Sequence, residues 1–523
     1  MSQSPPSNPV ATPISREEKE RLLRENREAL DRDLWVQSLT FKSMPRSVDL
    51  QLSNFCNMSC TMCYDGDNPP LQKLDEDVAA RISEEVLPTA SVITPFAGSE
   101  PLILTWETTL EFAQRYRVEL DLITNAQFLD EEKFRELEPH VTKLTFSIDS
   151  HMRDVYERIR LRSRPDKVFE NIPRAASLCR EHDIEAEANV VFMVENAPFM
   201  HETVAFLADL GCTTVRLLAF HMMPILSSER RFSDAQLHMS AEWFEWMMGR
   251  IRRVAKEKKI HLIFEGKRRE EHDFRPSTHT SRTPGGNAVW AELGFYHPGY
   301  CVQSVDRIKI ETGSDVYPCC VGSDGNLRLG NLERQSFQEV WNGPEAQDLR
   351  RAMLTLDLPE FCKNCEFHLA WIPPEQEHMP FVDWYHKVHS GGTVPLVSED
   401  RRTIEMQSPD HLVRDEAPPV FRWTAPDDPP DQYQLVLGLA GRWGEGNEVF
   451  EIDGDATEFE IPADRWQELR TNIAYWWALF GLRRDSLDQS LRSASVRCLV
   501  RHQPIPRVEG STLYNSGPQA ADQ

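Results

Sequence analysis

The chain has 523 residues, a formal charge of −25 from 58 Lys and Arg against 83 Asp and Glu, and eleven cysteines. At about 100–200 residues per domain that length holds two to four domains, and its acidity argues against nucleic acid as a partner. No run approaches the roughly 18–20 apolar residues of a membrane span, and the opening MSQSPPSNPVATP lacks the basic and apolar regions of a secretory signal. The expected location is therefore the cytoplasm, away from membranes, with cysteines serving as thiols or metal ligands rather than disulfides.

Residues 1–14 are rich in Pro and Ser and read as disordered. Ser15 with Glu18 forms a capping-box pattern that opens a charged helix running to about Leu39, within a segment at 15–44. Across 45–260 the apolar runs VDLQL, SVITPF, VELDLITN, KLTFSI, EAEANVVFMV and TTVRLLAF alternate with helical segments. Six strand–helix units imply an α/β fold with a parallel sheet, either an open barrel or doubly wound. Residues 261–370 are loop-rich, carry five cysteines and read as a small α+β domain. Residues 371–418, Pro- and His-rich, read as a linker. At 419–503 the strands YQLVLGL, EVFEID, TEFEIP and AYWWALFGL, spaced by turn residues, predict an all-β sandwich of fibronectin- or immunoglobulin-like architecture. Residues 504–523 read as a disordered tail.

Eight cysteines fall in three groups: Cys56, Cys60 and Cys63 in CNMSCTMC; Cys301, Cys319 and Cys320; and Cys362 and Cys365 in FCKNC. Cys179 shares helical spacing with Val168, Ile172 and Ala176 and reads as a core thiol. Cys212, after the helix-ending Gly211, and Cys498, in SVRCLVRH, also read as packing residues. The first group lies on a loop directly after the first strand. Zinc there would want a fourth ligand, and none is near in sequence. A [4Fe–4S] cluster on three thiolates instead leaves one iron open to a substrate or cofactor.

CNMSCTMCY resembles the signature of the radical S-adenosylmethionine (radical SAM) superfamily. Gly98-Ser99-Glu100-Pro101 is similar to its Gly-Gly-Glu motif, with Ser99 replacing a glycine, and Thr124-Asn125-Ala126 to its Thr-Asn-Gly. Ser147-Ile148-Asp149 ends the fourth strand, where that family contacts the ribose and the methionyl carboxylate. Asn189 and Leu217-Leu218 fall near its ribose and adenine contacts, and Met62 at the position that packs on adenine. The resemblance spans about 45–260 and implies a partial (β/α)6 barrel with Cys56, Cys60 and Cys63 on the SAM-binding [4Fe–4S] cluster. It implies SAM-binding roles for Met62, Gly98, Ser99, Glu100, Ser147, Asp149, Asn189 and Leu217. Most of these groups end successive strands, at the rim where parallel β/α barrels build active sites. The implied chemistry is reductive cleavage of SAM to methionine and a 5′-deoxyadenosyl radical that takes a hydrogen atom from substrate. The cofactor carries it; the protein orients it and excludes water.

Cys301, Cys319, Cys362 and Cys365 can close a four-cysteine site, and zinc and iron–sulfur are both compatible with it by softness. The stretch from Cys301 through GNLERQSFQEVWNG to Cys365 resembles the SPASM/twitch extension of radical enzymes. The full SPASM pattern needs seven cysteines, so the resemblance implies the shorter twitch form with one auxiliary [4Fe–4S] cluster on those four residues. Cys320 is the rival for Cys319, and otherwise a structural neighbour or a hydrogen-atom donor.

The run Lys267, Arg268, Arg269, Glu270, Glu271, His272, Asp273 and Arg275 nearly cancels in charge and reads as a solvated loop, or as a site for an anionic substrate group. His221 reads as a substrate contact or a structural histidine, Tyr64 as packing rather than catalytic, and Trp466, Tyr475, Trp476 and Trp477 as core rather than as a sugar platform. About 45 residues precede the first strand, too few for a peptide-binding domain. The expected substrate is therefore a small molecule or carbohydrate, oxidised with help from the auxiliary cluster. Radical epimerisation comes second and peptide modification third. A reducing partner such as flavodoxin or ferredoxin is expected, and no catalytic residue is assigned. The rival reading is a non-catalytic metal-stabilised scaffold whose sandwich recruits a partner; the strand-end polar residues argue against it.

Overall fold

The computed structural model describes residues 13–63, 70–95, 98–219, 241–265, 301, 303–319, 322, 326–355, 357–363, 403–408, 417–439, 448–483, 491–493, 497–501 and 503–514. Tyr64, His221, residues 267–275, Cys320 and Cys365 lie outside them, as do the side chains of Trp476 and Cys498. Helix α1 (Arg16–Trp35) starts where the capping pattern predicts, with the Ser15 hydroxyl accepting the Glu18 N–H at 3.0 Å, and stops four residues short of Leu39. Lys19 turns inward from it and donates to the carbonyls of Leu87, Pro88 and Ala90. It thereby holds α1 against the turn after α2 (Glu76–Glu85).

All six predicted strands are present: β1 (Ser47–Leu50), β3 (Val92–Thr94), the split pair β4 (Glu119–Leu120) and β5 (Leu122–Thr124), β6 (Lys143–Ser147), β8 (Glu185–Phe192) and β9 (Thr214–Ala219). Short β2 (Ser59–Cys60) and β7 (Arg160–Leu161) pair with each other. The parallel array exceeds six. β10 (His261–Glu265), past the expected boundary at 260, pairs parallel with β9. β11 (Arg307–Ile310), from the cysteine-rich region, pairs parallel with β1. The hairpin partners β12 (Asp315–Tyr317) and β13 (Gly330–Asn331) follow antiparallel, giving one sheet in the order β13-β12-β11-β1-β3-β4 and a second in the order β10-β9-β8-β6-β5. Asp121 alone separates β4 from β5, so one interrupted strand serves both sheets. Helices α3 (Trp106–Tyr116), α4 (Glu131–Leu137), α5 (Arg153–Ile159), α6 (Pro165–Glu181), α7 (Met200–Leu210) and α8 (Ala241–Lys258) connect the strands. Leu144, Phe146, Ala188, Val190, Val215 and Leu217 are fully buried on the helix-covered face. Cys179 and Cys212 are buried in the same core, as expected.

After α9 (Gln303–Asp306), α10 (Phe337–Trp341), α11 (Pro344–Thr355) and α12 (Glu360–Lys363) the described residues are mainly β. β14 (Thr403–Ile404), β17 (Gln432–Leu439), β18 (Glu448–Asp453), β20 (Ala474–Leu482), β21 (Leu491–Ser493) and β22 (Arg497–Val500) form one sheet. β15 (Met406–Ser408), β16 (Val420–Trp423) and β19 (Glu458–Glu460) form another. Phe421 meets Trp477 edge-on at 4.7 Å and Trp423 meets Tyr433 at 5.1 Å, joining the two sheets as layers. Trp466, on α13 (Ala463–Glu468), is fully buried. Two expected boundaries change. β14 and β15 lie inside the stretch read as a linker. Within the stretch read as a disordered tail, Tyr514 receives the Arg351 guanidinium at 2.6 Å, the Val508 N–H donates to Asp348 at 3.2 Å and Leu513 is buried, so the segment docks on α11.

Candidate active site

The loop leaving β1 carries Cys56, Cys60 and Cys63, all half-buried. It is tied down by backbone bonds rather than by its own sequence. Cys60 stands opposite Arg160 in the β2–β7 ribbon, and the Thr61 N–H donates to the Ile159 carbonyl at 2.8 Å. Burial pushes the Cys56 thiol up to about 11, against the Met58 N–H that favours the thiolate. Burial also raises the Cys60 thiol, against the Arg160 charge. A thiol held protonated in this way binds metal only by releasing its proton.

Glu100 braces the neighbouring strand ends. Its N–H donates to the Phe55 carbonyl in the cysteine loop at 3.0 Å. Its buried carboxyl accepts from the Thr124 hydroxyl at 2.6 Å and the Asn125 N–H at 2.9 Å. Burial nevertheless outweighs these donors and lifts the carboxyl to about 7. Asn125 closes the circle by donating to the Asn57 side-chain carbonyl at 2.9 Å. Gly98 has φ of +83°, a conformation that explains glycine there, and Ser99 beside it is half-buried.

Asp149 and Leu217 are both buried within the fold. Asp149 has no exposed surface; its carboxylate accepts from Arg160 Nε at 2.6 Å and from the Val191 N–H at 2.8 Å. It is a buried anchor, because a carboxylate out of water must be paired. Leu217 pairs in register with Val190 and lies on the helix-covered face. Alternation places Ser147, Asn189, Arg216 and Leu218 on the opposite, inner face. Met62 packs beside the small cluster of Val155, Ile159 and Met193.

Sequence reading missed Arg160 and Arg216. Arg160 is buried, bonded to Asp149, and has Nη1 3.9 Å from Cys60 Sγ. Burial opposes its charge, but Asp149 and Cys60 more than offset that and hold it well above the usual range. Arg216 is paired with Glu187 at 2.9 Å, both buried. Neither arginine stands out in its segment, and only register shows where each one lies.

The site's residues fit a bound polar cofactor. Asn57 Nδ2 and Asn189 Oδ1 are buried without a hydrogen-bond partner among the described residues, one on the cysteine loop and one on the inner face of β8. Such orphans are costly unless a ligand satisfies them. Cys301 is half-buried before α9, Cys319 is buried just after β12, and Cys362 is buried on α12. Among the described residues no three His, Cys, Asp or Glu side chains converge on a single metal ion. A cluster, in which each thiolate takes a different iron, does not require that convergence.

The chain matches the family model of the radical SAM superfamily over residues 50–194. That stretch is a radical SAM domain. An iron–sulfur cluster-binding SPASM domain matches residues 301–366, so the cofactors of this radical SAM protein are a [4Fe–4S] cluster, S-adenosylmethionine and auxiliary iron–sulfur. Similar solved structures include SuiB of Streptococcus suis bound to S-adenosylmethionine, with 14% identity over 68% of this chain and 78% of that one and a TM-score of 0.45. Native anSMEcpe with bound AdoMet has 17% identity over 62% and 88%, TM-score 0.43. A domain of pyruvate-formate lyase-activating enzyme from Bacteroides vulgatus ATCC 8482 has 15% identity over 32% and 94%, TM-score 0.25. Among the described residues no helix is long and apolar enough to cross a membrane.

Proposed function

We propose that this radical SAM enzyme abstracts a hydrogen atom from a polar small molecule or carbohydrate and completes a two-electron oxidation. When bound, the [4Fe–4S] cluster and S-adenosylmethionine supply the 5′-deoxyadenosyl radical. Cys56, Cys60 and Cys63 hold the first cluster, and Cys301, Cys319, Cys362 and Cys365 hold one auxiliary cluster. Glu100 fixes the spacing of three strand ends around the cofactor. Asn57 Nδ2 offers it a donor and Asn189 Oδ1 an acceptor. Ser147, level with Asn189 in the register, is a further contact.

The observation that carries the oxidative reading is the parallel pairing of β11 with β1. The Gln51 N–H donates to the Ile310 carbonyl at 2.9 Å, and its side-chain carbonyl accepts the Thr312 N–H at 3.2 Å. The auxiliary domain thereby grips the strand that enters the cysteine loop. That attachment supports an electron acceptor beside the site of hydrogen abstraction. The charges on the inner faces of the strands, Asp49 with Arg307 and Glu187 with Arg216, support a polar substrate.

Anaerobically reconstituted protein, given dithionite and S-adenosylmethionine, should release 5′-deoxyadenosine well above a Cys60→Ala control. No excess over that control overturns the enzyme reading. Deuterium transfer into 5′-deoxyadenosine from labelled polyols, sugars or peptides then identifies the substrate class. Transfer from a peptide alone, or deuterium returned to an epimerised product, replaces the oxidative assignment. A flavodoxin or ferredoxin replacing dithionite tests the reducing partner.

A further inference from the structure

We propose that Arg160, oriented by Asp149, is a positioning residue that sets the reduction potential of the cluster bound by Cys60. The inference rests on the reading that Cys60 ligates iron. Its geometry is unusually constrained for a charged side chain. The main chain of Arg160 is fixed directly opposite Cys60 by the β2–β7 ribbon. The guanidinium is only 8% exposed and is clamped by a carboxylate with no exposure at all. That carboxylate is itself immobilised: its second oxygen accepts from Val191, and the Asp149 carbonyl accepts from Asn196 Nδ2 at 2.9 Å. Asn196 Nδ2 also donates to the Val191 carbonyl, at 2.7 Å. The ends of β6 and β8 therefore meet on one carboxylate, which presents one cation to one cysteine sulfur.

Two physical effects follow. An N–H directed at a ligating sulfur, and a positive charge beside it, both favour the form of the cluster that has gained an electron. Asp149 acts with the opposite sign while holding the guanidinium in place. In a buried setting both contributions are large because water screens neither. A purely structural ion pair would instead stabilise the loop without a sign difference between its two members.

The test uses the full-length protein with its clusters reconstituted, comparing wild type with R160K, R160Q, D149N and C60A. Iron is counted first. The midpoint potential of the first cluster is then titrated by EPR, its signal assigned by the change on adding S-adenosylmethionine. R160K and D149N should keep the wild-type iron count. R160Q should move the potential to more negative values by about 59 mV, a tenfold lower ratio of reduced to oxidised cluster for one electron. D149N should move it to more positive values, and R160K should fall between R160Q and wild type. Shifts of the same sign in R160Q and D149N, or no shift in either, overturn the proposal. Loss of the first site's iron in charge-retaining R160K, to the extent seen in C60A, overturns it as well. Wild-type iron in C60A would instead refute the ligand reading, so the two failures are separable.

Discussion

Arg46 and Asp306, 260 positions apart, form a two-pronged buried ion pair, with Nε to Oδ1 at 2.6 Å and Nη2 to Oδ2 at 2.9 Å. The Arg46 N–H also donates to the Asp306 carbonyl at 2.9 Å. The two residues stand immediately before β1 and β11, so the pair aligns the radical SAM sheet with the auxiliary domain. Asp306→Ala would leave a guanidinium buried without its partner and should cost about 3–5 kcal/mol, whereas replacing both residues with apolar ones should cost far less. Urea denaturation checks this; D306A within 1 kcal/mol of wild type would be incompatible with a bridge that aligns the two domains.

Asn189 makes a contrasting prediction. Because its Oδ1 is buried and unsatisfied among the described residues, removing it should leave stability unchanged or slightly higher. Asn189→Ala should nevertheless weaken S-adenosylmethionine binding by about tenfold, the worth of roughly one hydrogen bond. Equilibrium dialysis with the cluster-loaded protein measures it, and unchanged affinity would remove Asn189 from the cofactor site.

Leu217 should behave in the reverse manner. It is fully buried on the helix-covered face, so Leu217→Ala should cost about 2–5 kcal/mol. S-adenosylmethionine affinity of the folded protein should stay at the wild-type value. A large loss of affinity would restore Leu217 to the adenine contact that its sequence position first implied.

Lys19 predicts a pH dependence. Burial lowers its ammonium from the usual 10.5 to about 7. The unfolded chain keeps this proton to higher pH than the folded one, so its contribution to stability rises between about pH 7 and 10.5. Lys19→Met abolishes the three carbonyl contacts and this dependence together. The stability gap between wild type and K19M should therefore widen from pH 7 to pH 10, and a gap that narrows would contradict the assignment.

The two cysteine regions should load independently. Cys60→Ala should lose the iron of the first cluster and keep that of the auxiliary one, and Cys362→Ala should do the converse. Iron analysis with Mössbauer spectroscopy distinguishes them. Loss of all iron in either variant would show that the centres assemble as one unit.

The cysteine loop and the six strands were legible because their signals are local: cysteine spacing, and apolar runs separated by amphipathic helices. What went unread depends on partners distant in the chain. Alternation shows that Leu217 and Leu218 face opposite ways, but only pairing with β8 shows which one is covered by helices. Arg160 lies among four other arginines between Arg153 and Arg164, and nothing local marks it as the one beneath Cys60. The strand HLIFE is short and follows a charged helix, so its parallel pairing with β9 leaves no signature within its own residues. Lys19 is one charge among many in a charged helix, and its acceptors, the carbonyls of Leu87, Pro88 and Ala90, are distant in the chain.

The pairing of Ser47 with Arg307 also sets an order of events during synthesis. The 260 residues between them take roughly 13–52 s to make at about 5–20 residues per second. During that interval β1 has no β11 beside it, and the strand leading to Cys56 is a bare sheet edge of the kind that invites wrong pairing. Iron delivered then would meet a loop supported on one side only. Cluster insertion after residue 310 has emerged would meet β1 with β11 already able to pair beside it.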